Sequence, residues 1–288
     1  MTIRMSLRRW ALAAPCALVL FGAPSAFAAD YLGSAGAFAV LGGAAVTNTD
    51  ATTINGDIGV YPGSSITGTG AITQTGSIHT TDAVAQLAQS DAATGYSGLA
   101  ALAATSNLTG SDLGTVGVLA PGVYNFDSSA FLTGNLTLDF ASDPGGAFIF
   151  KIGSTLTTAS GSSVSVLNGG AGSGIFWEVG SSATLGTSTL FAGNILADQS
   201  ITLNTSAKIL CGRAIALNAA VTMDGNTISS DCAGAGDLGS GISDFGSHGY
   251  AGLTSSGAVP EPATWALMIG GVALAGAALR RRRAAVIA

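Results

Sequence analysis

The chain has 288 residues, of which 48% are hydrophobic, 9% are charged and 42 are glycine. Seven of its ten basic residues lie at the two ends, so residues 30–258 hold three basic and fifteen acidic residues, a formal charge of −12. This charge excludes nucleic-acid binding, which requires a basic surface. It also disfavours binding to anionic lipid. The apolar content is too high for a disordered chain, and the abundant glycine is typical of short strands joined by tight turns.

The first 28 residues are predicted to be a secretory signal peptide. Three arginines precede an apolar stretch at 10–21, and Ala26-Phe27-Ala28 matches a small-x-small cleavage site. The mature chain then begins at Ala29 or Asp30, and we assign the exported domain to residues 30–232.

Two segments near the start of this domain are predicted to be strands. They cover residues 38–41 and 52–60, and turns are expected at Asn55-Gly56 and Pro62-Gly63.

Residues 81–105 are predicted to be helical and to lie along the strands. Asp82 suits a helix N-terminus, whereas Gly95 and Gly98 each cost up to about 1 kcal/mol in the helix centre. Few residues here are β-branched, and apolar residues recur at helical spacing, at Val84, Leu87, Ala88, Leu99 and Leu102.

A triplet of threonine, an apolar residue and a small or polar residue repeats from residue 133 onward. The triplets begin 18, 29, 18 and 20 residues apart, at Thr137, Thr155, Thr184, Thr202 and Thr222. A repeat of short strands predicts a β-solenoid, and 18 residues correspond to a triangular coil with three sides of about six residues. We attribute the longest step to an insertion at residues 168–174.

Strand alternation predicts which side chains face inward. Inward positions are Leu156, Leu185, Leu203 and Met223, and their neighbours face outward. Each triplet from 155 onward follows a more apolar strand, at residues 148–152, 175–179, 194–197 and 214–217.

Aligning Phe150 with Trp177 places Lys151 beside Glu178, where we expect an exposed ion pair worth well under 1 kcal/mol.

Cys211 and Cys232 are predicted to form a disulfide. An even cysteine count in an exported chain favours a disulfide over a metal site. The two cysteines are 21 residues apart, close to the length of one coil, so the bridge closes the last coil.

The last part of the chain is predicted to be a spacer and a sorting signal. Residues 233–258 are rich in glycine and serine, which is typical of a flexible spacer. In the sorting signal at 259–283, the apolar segment 263–279 has about the minimum length of a transmembrane helix. It follows Pro260, Glu261 and Pro262, and it precedes Arg280, Arg281, Arg282 and Arg283.

This pattern resembles the PEP-CTERM sorting signal of Gram-negative bacteria. The arginines should stay cytoplasmic, which leaves the preceding chain outside. The resemblance implies recognition by an exosortase, cleavage near Pro260–Pro262 and release from a transient membrane anchor to the cell surface or extracellular matrix.

Over residues 30–232 the chain is similar to the microbial ice-binding protein family. The motifs that carry the resemblance are Asn55-Gly56-Asp57-Ile58-Gly59-Val60, Pro121-Gly122-Val123-Tyr124, Phe148-Ile149-Phe150 and Phe176-Trp177-Glu178-Val179. The resemblance implies a mainly β fold, a right-handed discontinuous β-solenoid with triangular coils. N-terminal and C-terminal coils then stack together, and one long α-helix packs alongside.

The resemblance also implies that the outward threonine columns bind ice. Outward residues two apart in a strand are separated by about 6.6 Å and neighbouring coils by about 4.8 Å, so methyls and hydroxyls form a grid. Asp139, Asp224 and Gly186 interrupt this grid. The candidate ice-binding residues are Thr155, Thr157, Thr184, Thr202, Asn204 and Thr222.

Two other functions stay open on the same fold. One is a biofilm-matrix adhesin or structural protein, and extracellular polysaccharide is accordingly an additional candidate partner. The other is a polysaccharide-active enzyme using Asp139, Asp198 or Asp224, which the scarcity of nearby basic residues disfavours.

Zinc binding is also disfavoured. His79 and His248 lack cysteine or carboxylate neighbours at ligand spacing. We therefore predict no catalytic residue, no metal and no cofactor, with ice and an exosortase as partners.

Overall fold

The computed structural model of the protein describes residues 31–169 and 173–230. Strands in this part of the chain form three parallel sheets, A, B and C. Sheet A contains β1 (Phe38–Gly42), β4 (Asp57–Val60), β7 (Ile78–Thr80), β8 (Ser106–Asn107), β10 (Gly122–Phe126), β13 (Ala147–Ile152), β16 (Gly174–Val179), β19 (Asn194–Ala197) and β22 (Ala214–Ala216).

Sheets B and C supply the other two sides. Sheet B contains β2 (Ala45–Asn48), β5 (Ser65–Thr67), β11 (Ala130–Leu132), β14 (Leu156–Thr158), β17 (Ala183–Leu185), β20 (Ile201–Leu203) and β23 (Val221–Met223). Sheet C contains β3 (Thr52–Asn55), β6 (Ile72–Gln74), β9 (Val118–Leu119), β12 (Asn135–Asp139), β15 (Ser163–Leu167), β18 (Leu190–Ala192), β21 (Lys208–Leu210) and β24 (Thr227–Ser229).

From β1 to β6 and again from β10 to β24 the chain visits the sheets in the order A, B, C, so three consecutive strands there make one triangular coil. The stacking is discontinuous, because the last coil (β22, β23 and β24) pairs with the first (β1, β2 and β3). The predicted mainly β architecture is therefore confirmed, including the stacking of N-terminal on C-terminal coils.

Aromatic rings stacked from coil to coil form part of the core. The rings of Phe150 and Trp177 lie parallel with centroids 4.0 Å apart, and Trp177 Nε1 donates to the carbonyl oxygen of Ala192 at 3.0 Å. Phe150 pairs with Trp177 and Lys151 with Glu178, which confirms the predicted register.

The expected exposed ion pair between Lys151 and Glu178 is wrong. Glu178 is only 7% exposed, and Lys151 Nζ instead donates to the carbonyl oxygen of Leu102 at 2.7 Å. Burial raises the pKa of Glu178, although a hydrogen bond from Tyr96 and the charge of Lys151 oppose this shift. The physical reason is that the helix covers the outer face of sheet A, which sequence alternation had assigned to solvent.

That helix, α1, spans Ala83–Ala100, inside the predicted range. Asp82 caps it by accepting a hydrogen bond from the N–H of Ala85 at 2.8 Å. The helix turns small residues toward the sheet, whereas Val84 and Leu87 are 48% and 56% exposed, contrary to their assignment to the apolar face. Short 3-10 helices occur at Gly33–Ala37 and Thr69–Ala71.

The signal peptide, Cys232, the spacer and the sorting signal lie outside the described residues. No helix within residues 31–169 and 173–230 is both long enough and apolar enough to cross a membrane.

Candidate functional site

The outer face of sheet B differs from those of the other two sheets. Helix α1 covers much of sheet A, where Ile149, Phe176, Leu196 and Ile215 are buried in a second apolar cluster. The outer face of sheet C is uneven, because Leu190 and Lys208 are paired neighbours in one outward column. Small side chains, many with hydroxyl groups, cover most of sheet B.

A central column of side chains runs across all seven strands of sheet B. Its inner neighbours, such as Val46, Leu185, Leu203 and Met223, are buried, so alternation turns the column outward. From one edge strand to the other, the pairing gives Phe131, Thr157, Thr184, Thr202, Thr222, Thr47 and Thr67.

A second column of small residues lies two positions upstream on each strand. Ser129 Oγ and Thr155 Oγ1 are 2.8 Å apart, and Ser200 Oγ donates to Ser182 Oγ at 3.0 Å. These hydrogen bonds hold neighbouring hydroxyls in place from coil to coil. Continuing the strand register gives this column as Ser129, Thr155, Ser182, Ser200, Ala220, Ala45 and Ser65.

We call these two columns the hydroxyl face. Six interstrand spacings of about 4.8 Å make it roughly 29 Å long, and its columns are about 6.6 Å apart. Neither column contains a charged side chain. Such a grid of methyls and hydroxyls offers no reactive group and matches a repeating surface better than a single small molecule.

The structure brings most of the predicted site residues together. Thr157, Thr184, Thr202 and Thr222 share the central column, and Thr155 lies in the upstream column. Asn204 is exposed in the turn after β20, where its N–H donates to the carbonyl oxygen of Leu185 at 3.0 Å. It therefore lies at the downstream edge of the face.

The predicted alignment of Thr155 with Thr184 is wrong. Leu156 pairs with Ala183 rather than with Leu185, so Thr157 is the residue level with Thr184. The error falls at the 29-residue step, where the sequence repeat does not reveal how many residues belong to the strand and how many to the insertion.

The triplet at Thr137 belongs to another side of the coil. Thr137 and Asp139 lie in β12 of sheet C and pair with Ser165 and Leu167 of β15. Strands on different sides share the same alternation of threonine and leucine, so an 18-residue spacing alone does not identify the side.

Sequence reasoning missed Thr47 and Thr67, which continue the central column across the N-terminal coils. A signal was present, because Ala45-Val46-Thr47 and Ser65-Ile66-Thr67 alternate small and apolar residues.

Acidic residues lie at the border of the face, not in its columns. Burial opposes ionisation of Asp112, but the N–H groups of Thr133 and Gly114 and the Thr133 hydroxyl lower its pKa overall. Asp224, beyond the end of β23, accepts a hydrogen bond from the hydroxyl of Thr205.

The described ranges contain no group of three histidine, cysteine or acidic side chains positioned to hold a metal ion. The expectation that His79 lacks carboxylate neighbours is wrong, because its Nδ1 is 2.8 Å from Asp82 and its Nε2 is 4.0 Å from Asp57, which folding brings close from an earlier strand.

Two family models match the chain. The ice-binding-like model matches residues 40–229, and the PEP-CTERM protein-sorting motif matches residues 258–283. An ice-binding protein of Nostoc sp. (strain HG1) is 55% identical over 201 residues, which cover 70% of this chain and 74% of that protein.

Solved structures agree with the fold. A crystal structure of an ice-binding protein from an Antarctic biological consortium has 42% identity and a TM-score of 0.66, covering 69% of this chain and 90% of that one. One from the Antarctic ascomycete Antarctomyces psychrotrophicus has 38% identity and a TM-score of 0.64, covering 69% and 96%.

Proposed function

We propose that this chain, which belongs to the ice-binding-like family, binds ice through the hydroxyl face of sheet B. The observation that carries the proposal is the uncharged central column of Thr157, Thr184, Thr202, Thr222, Thr47 and Thr67. Family membership supports ice as the ligand, and the regular spacing of the column supports a crystalline surface.

The physical basis is a preorganised grid. Threonine hydroxyls hold water at fixed positions, and the methyl groups between them favour exclusion of disordered water. Parallel pairing on both sides fixes the backbone of each inner strand, so little conformational entropy is lost on binding. Charged groups, which hold water in other geometries, are confined to the border.

We also propose how the protein reaches its place of action. After removal of the signal peptide at 1–28, the segment 263–279 anchors the chain transiently in the membrane. An exosortase-type enzyme then cleaves near Pro260–Pro262 and releases the domain 30–232 to the cell surface or extracellular matrix. The match to the PEP-CTERM motif supports this route.

We further propose a right-handed winding for the coils. Two neighbouring parallel strands of one sheet, such as β10 and β13, are joined by a crossover through the other two sheets. Such crossovers are right-handed in nearly all proteins.

The direct test is the effect of the purified protein on ice. We expect thermal hysteresis and inhibition of ice recrystallisation at micromolar concentration. Ice growth indistinguishable from that in a solution of an unrelated acidic protein would overturn the proposal.

A further inference from the structure

A groove of about 560 Å³ lies between helix α1 and the corner where sheet A turns into sheet B. Tyr61, Asp198 and Asn218 line its corner side, just after strands β4, β19 and β22. Gln86, Gln89 and Tyr96 line its helix side. Its volume lies within the usual range for small-molecule sites.

The wall of this groove contains an unsatisfied polar group. Gln89 is 8% exposed, and its Nε2 donates to the carbonyl oxygen of Ala216 at 3.1 Å. Its Oε1 is buried and has no hydrogen-bond partner. A buried acceptor left without a hydrogen bond is unfavourable, so a ligand that donates a hydrogen bond to Gln89 would recover this energy.

Two tyrosines, Tyr61 and Tyr96, and two fixed polar groups line the same groove. Tyr96 is restrained by a hydrogen bond to the Glu178 carboxylate. Asn218 Nδ2 donates to Asp198 Oδ1 at 3.0 Å, and Gln199 Nε2 donates to Asp198 Oδ2 at 2.6 Å. The groove thus offers aromatic rings beside acceptors and amide donors whose positions are already set.

This lining selects for a neutral ligand rich in hydroxyl groups. Asp198 is the only charged group among the described lining residues, so the groove lacks the basic side chains that phosphate, sulfate or carboxylate ligands require. Amides donate and accept, which suits hydroxyls, and tyrosine rings contact apolar C–H groups with their negative faces. A sugar ring combines these two surfaces.

We propose that this groove binds a neutral saccharide, with its ring against Tyr61 or Tyr96 and its hydroxyls bonded to Gln89, Asp198 and Asn218. None of the lining residues belongs to the two columns of the hydroxyl face, so this site is distinct from that face and does not depend on ice binding.

The test is saturation-transfer NMR on the purified protein with methyl β-glucoside, methyl β-galactoside and methyl α-mannoside as probes. We expect transfer to the ring C–H protons of at least one probe. Gln89→Leu should weaken that binding by about fivefold or more, as expected for the loss of one hydrogen bond. Tyr61→Ala, on the opposite wall, should weaken it as well.

Gln74→Leu is the matched control. Gln74 also has a buried Oε1 without a partner, but it lies in edge strand β6 and does not line the groove. We expect this variant to bind the sugar like the parent, and Gln89→Leu to keep the parent's activity on ice. No transfer to any probe, or equal transfer in the parent, Gln89→Leu and Tyr61→Ala, would overturn the proposal.

Discussion

Thr47 donates a hydrogen bond from its hydroxyl to that of Thr222, with 3.2 Å between the oxygens, although 175 residues separate the two in sequence. The bond crosses the junction between β2 and β23, where the first coil stacks on the last. The central column of the hydroxyl face therefore continues without a gap from the C-terminal coils onto the N-terminal ones.

Thr47→Tyr should reduce ice activity, because the ring would protrude from the N-terminal part of the column and lift neighbouring rows off a flat surface. Stability should fall by only about 1 kcal/mol, from loss of the bond to Thr222. Recrystallisation inhibition and thermal melting measured together check both effects. Unchanged ice activity would restrict the binding face to the C-terminal coils.

Gly95→Ala should destabilise the protein by about 1–3 kcal/mol, because a Cβ there would overlap the carbonyl oxygen of Tyr31. Gly98→Ala is the matched control in the same helix. Its Cβ would lie 3.6 Å from the Tyr31 ring, an ordinary contact, so helix propensity should stabilise the protein by about 0.5–1 kcal/mol. Urea unfolding measures both, and equal effects would contradict the close packing of α1 beside Tyr31.

Glu178→Gln should raise the free energy of unfolding at pH 8. Burial raises the pKa of Glu178 in the folded state, so its carboxyl favours folding below the unfolded pKa of about 4.3 and loses that contribution as pH rises through the folded pKa. Glutamine still accepts the hydrogen bond from Tyr96 but carries no charge to desolvate. The gain over the parent should shrink toward pH 4 in a series of urea titrations.

Asp127→Asn should change stability in the opposite direction to Glu178→Gln, because the pKa of Asp127 is lowered in the folded state rather than raised. The side-chain amides of Asn107 and Asn125 lower the pKa of Asp127. Its contribution is therefore present above the unfolded pKa and is lost as pH falls through the folded one, so this variant should be less stable than the parent at neutral pH. For Glu178→Gln, a gain in the free energy of unfolding that grew toward acid pH would contradict the raised pKa of Glu178.

The purified protein should contain a disulfide between Cys211 and Cys232, worth roughly 3 kcal/mol on the loop-entropy model. Cys211 is buried, at 6% exposed, just after β21, where the chain enters the last coil. Mass spectrometry under non-reducing, denaturing conditions checks the pairing. Two alkylatable thiols at these positions would refute it.

The coil architecture could be predicted from the sequence because each apolar strand carries a local signal. Phe150 and Trp177 occupy matching positions in two such strands, and they pair as expected. The burial of Glu178 could not be predicted in this way, because it depends on where α1 packs. Alternation along a strand distinguishes two faces but does not say which of them another element covers.

The candidate site was predictable in composition but not in extent. Strand alternation identified Thr184, Thr202 and Thr222 as outward neighbours, and the pairing confirms that they are level. Thr155 was misplaced because an insertion interrupts the repeat. Thr47 was missed because the pairing of β2 with β23 is a long-range contact that a periodicity search along the chain does not detect.

Fluorescence-based ice affinity, with the labelled protein adsorbing to a single ice crystal, shows directly whether sheet B is the surface that binds ice. Thr202→Tyr lies in the centre of the hydroxyl face, and its core neighbours Ile201 and Leu203 stay in place. Stability should therefore change by no more than about 0.5 kcal/mol, as for most surface substitutions. Thr53→Tyr is the matched control, an exposed threonine on the outer face of sheet C.

We expect the parent and Thr53→Tyr to label the crystal and Thr202→Tyr to leave it dark. Equal labelling by Thr202→Tyr and the parent would show that sheet B is not the surface that meets ice.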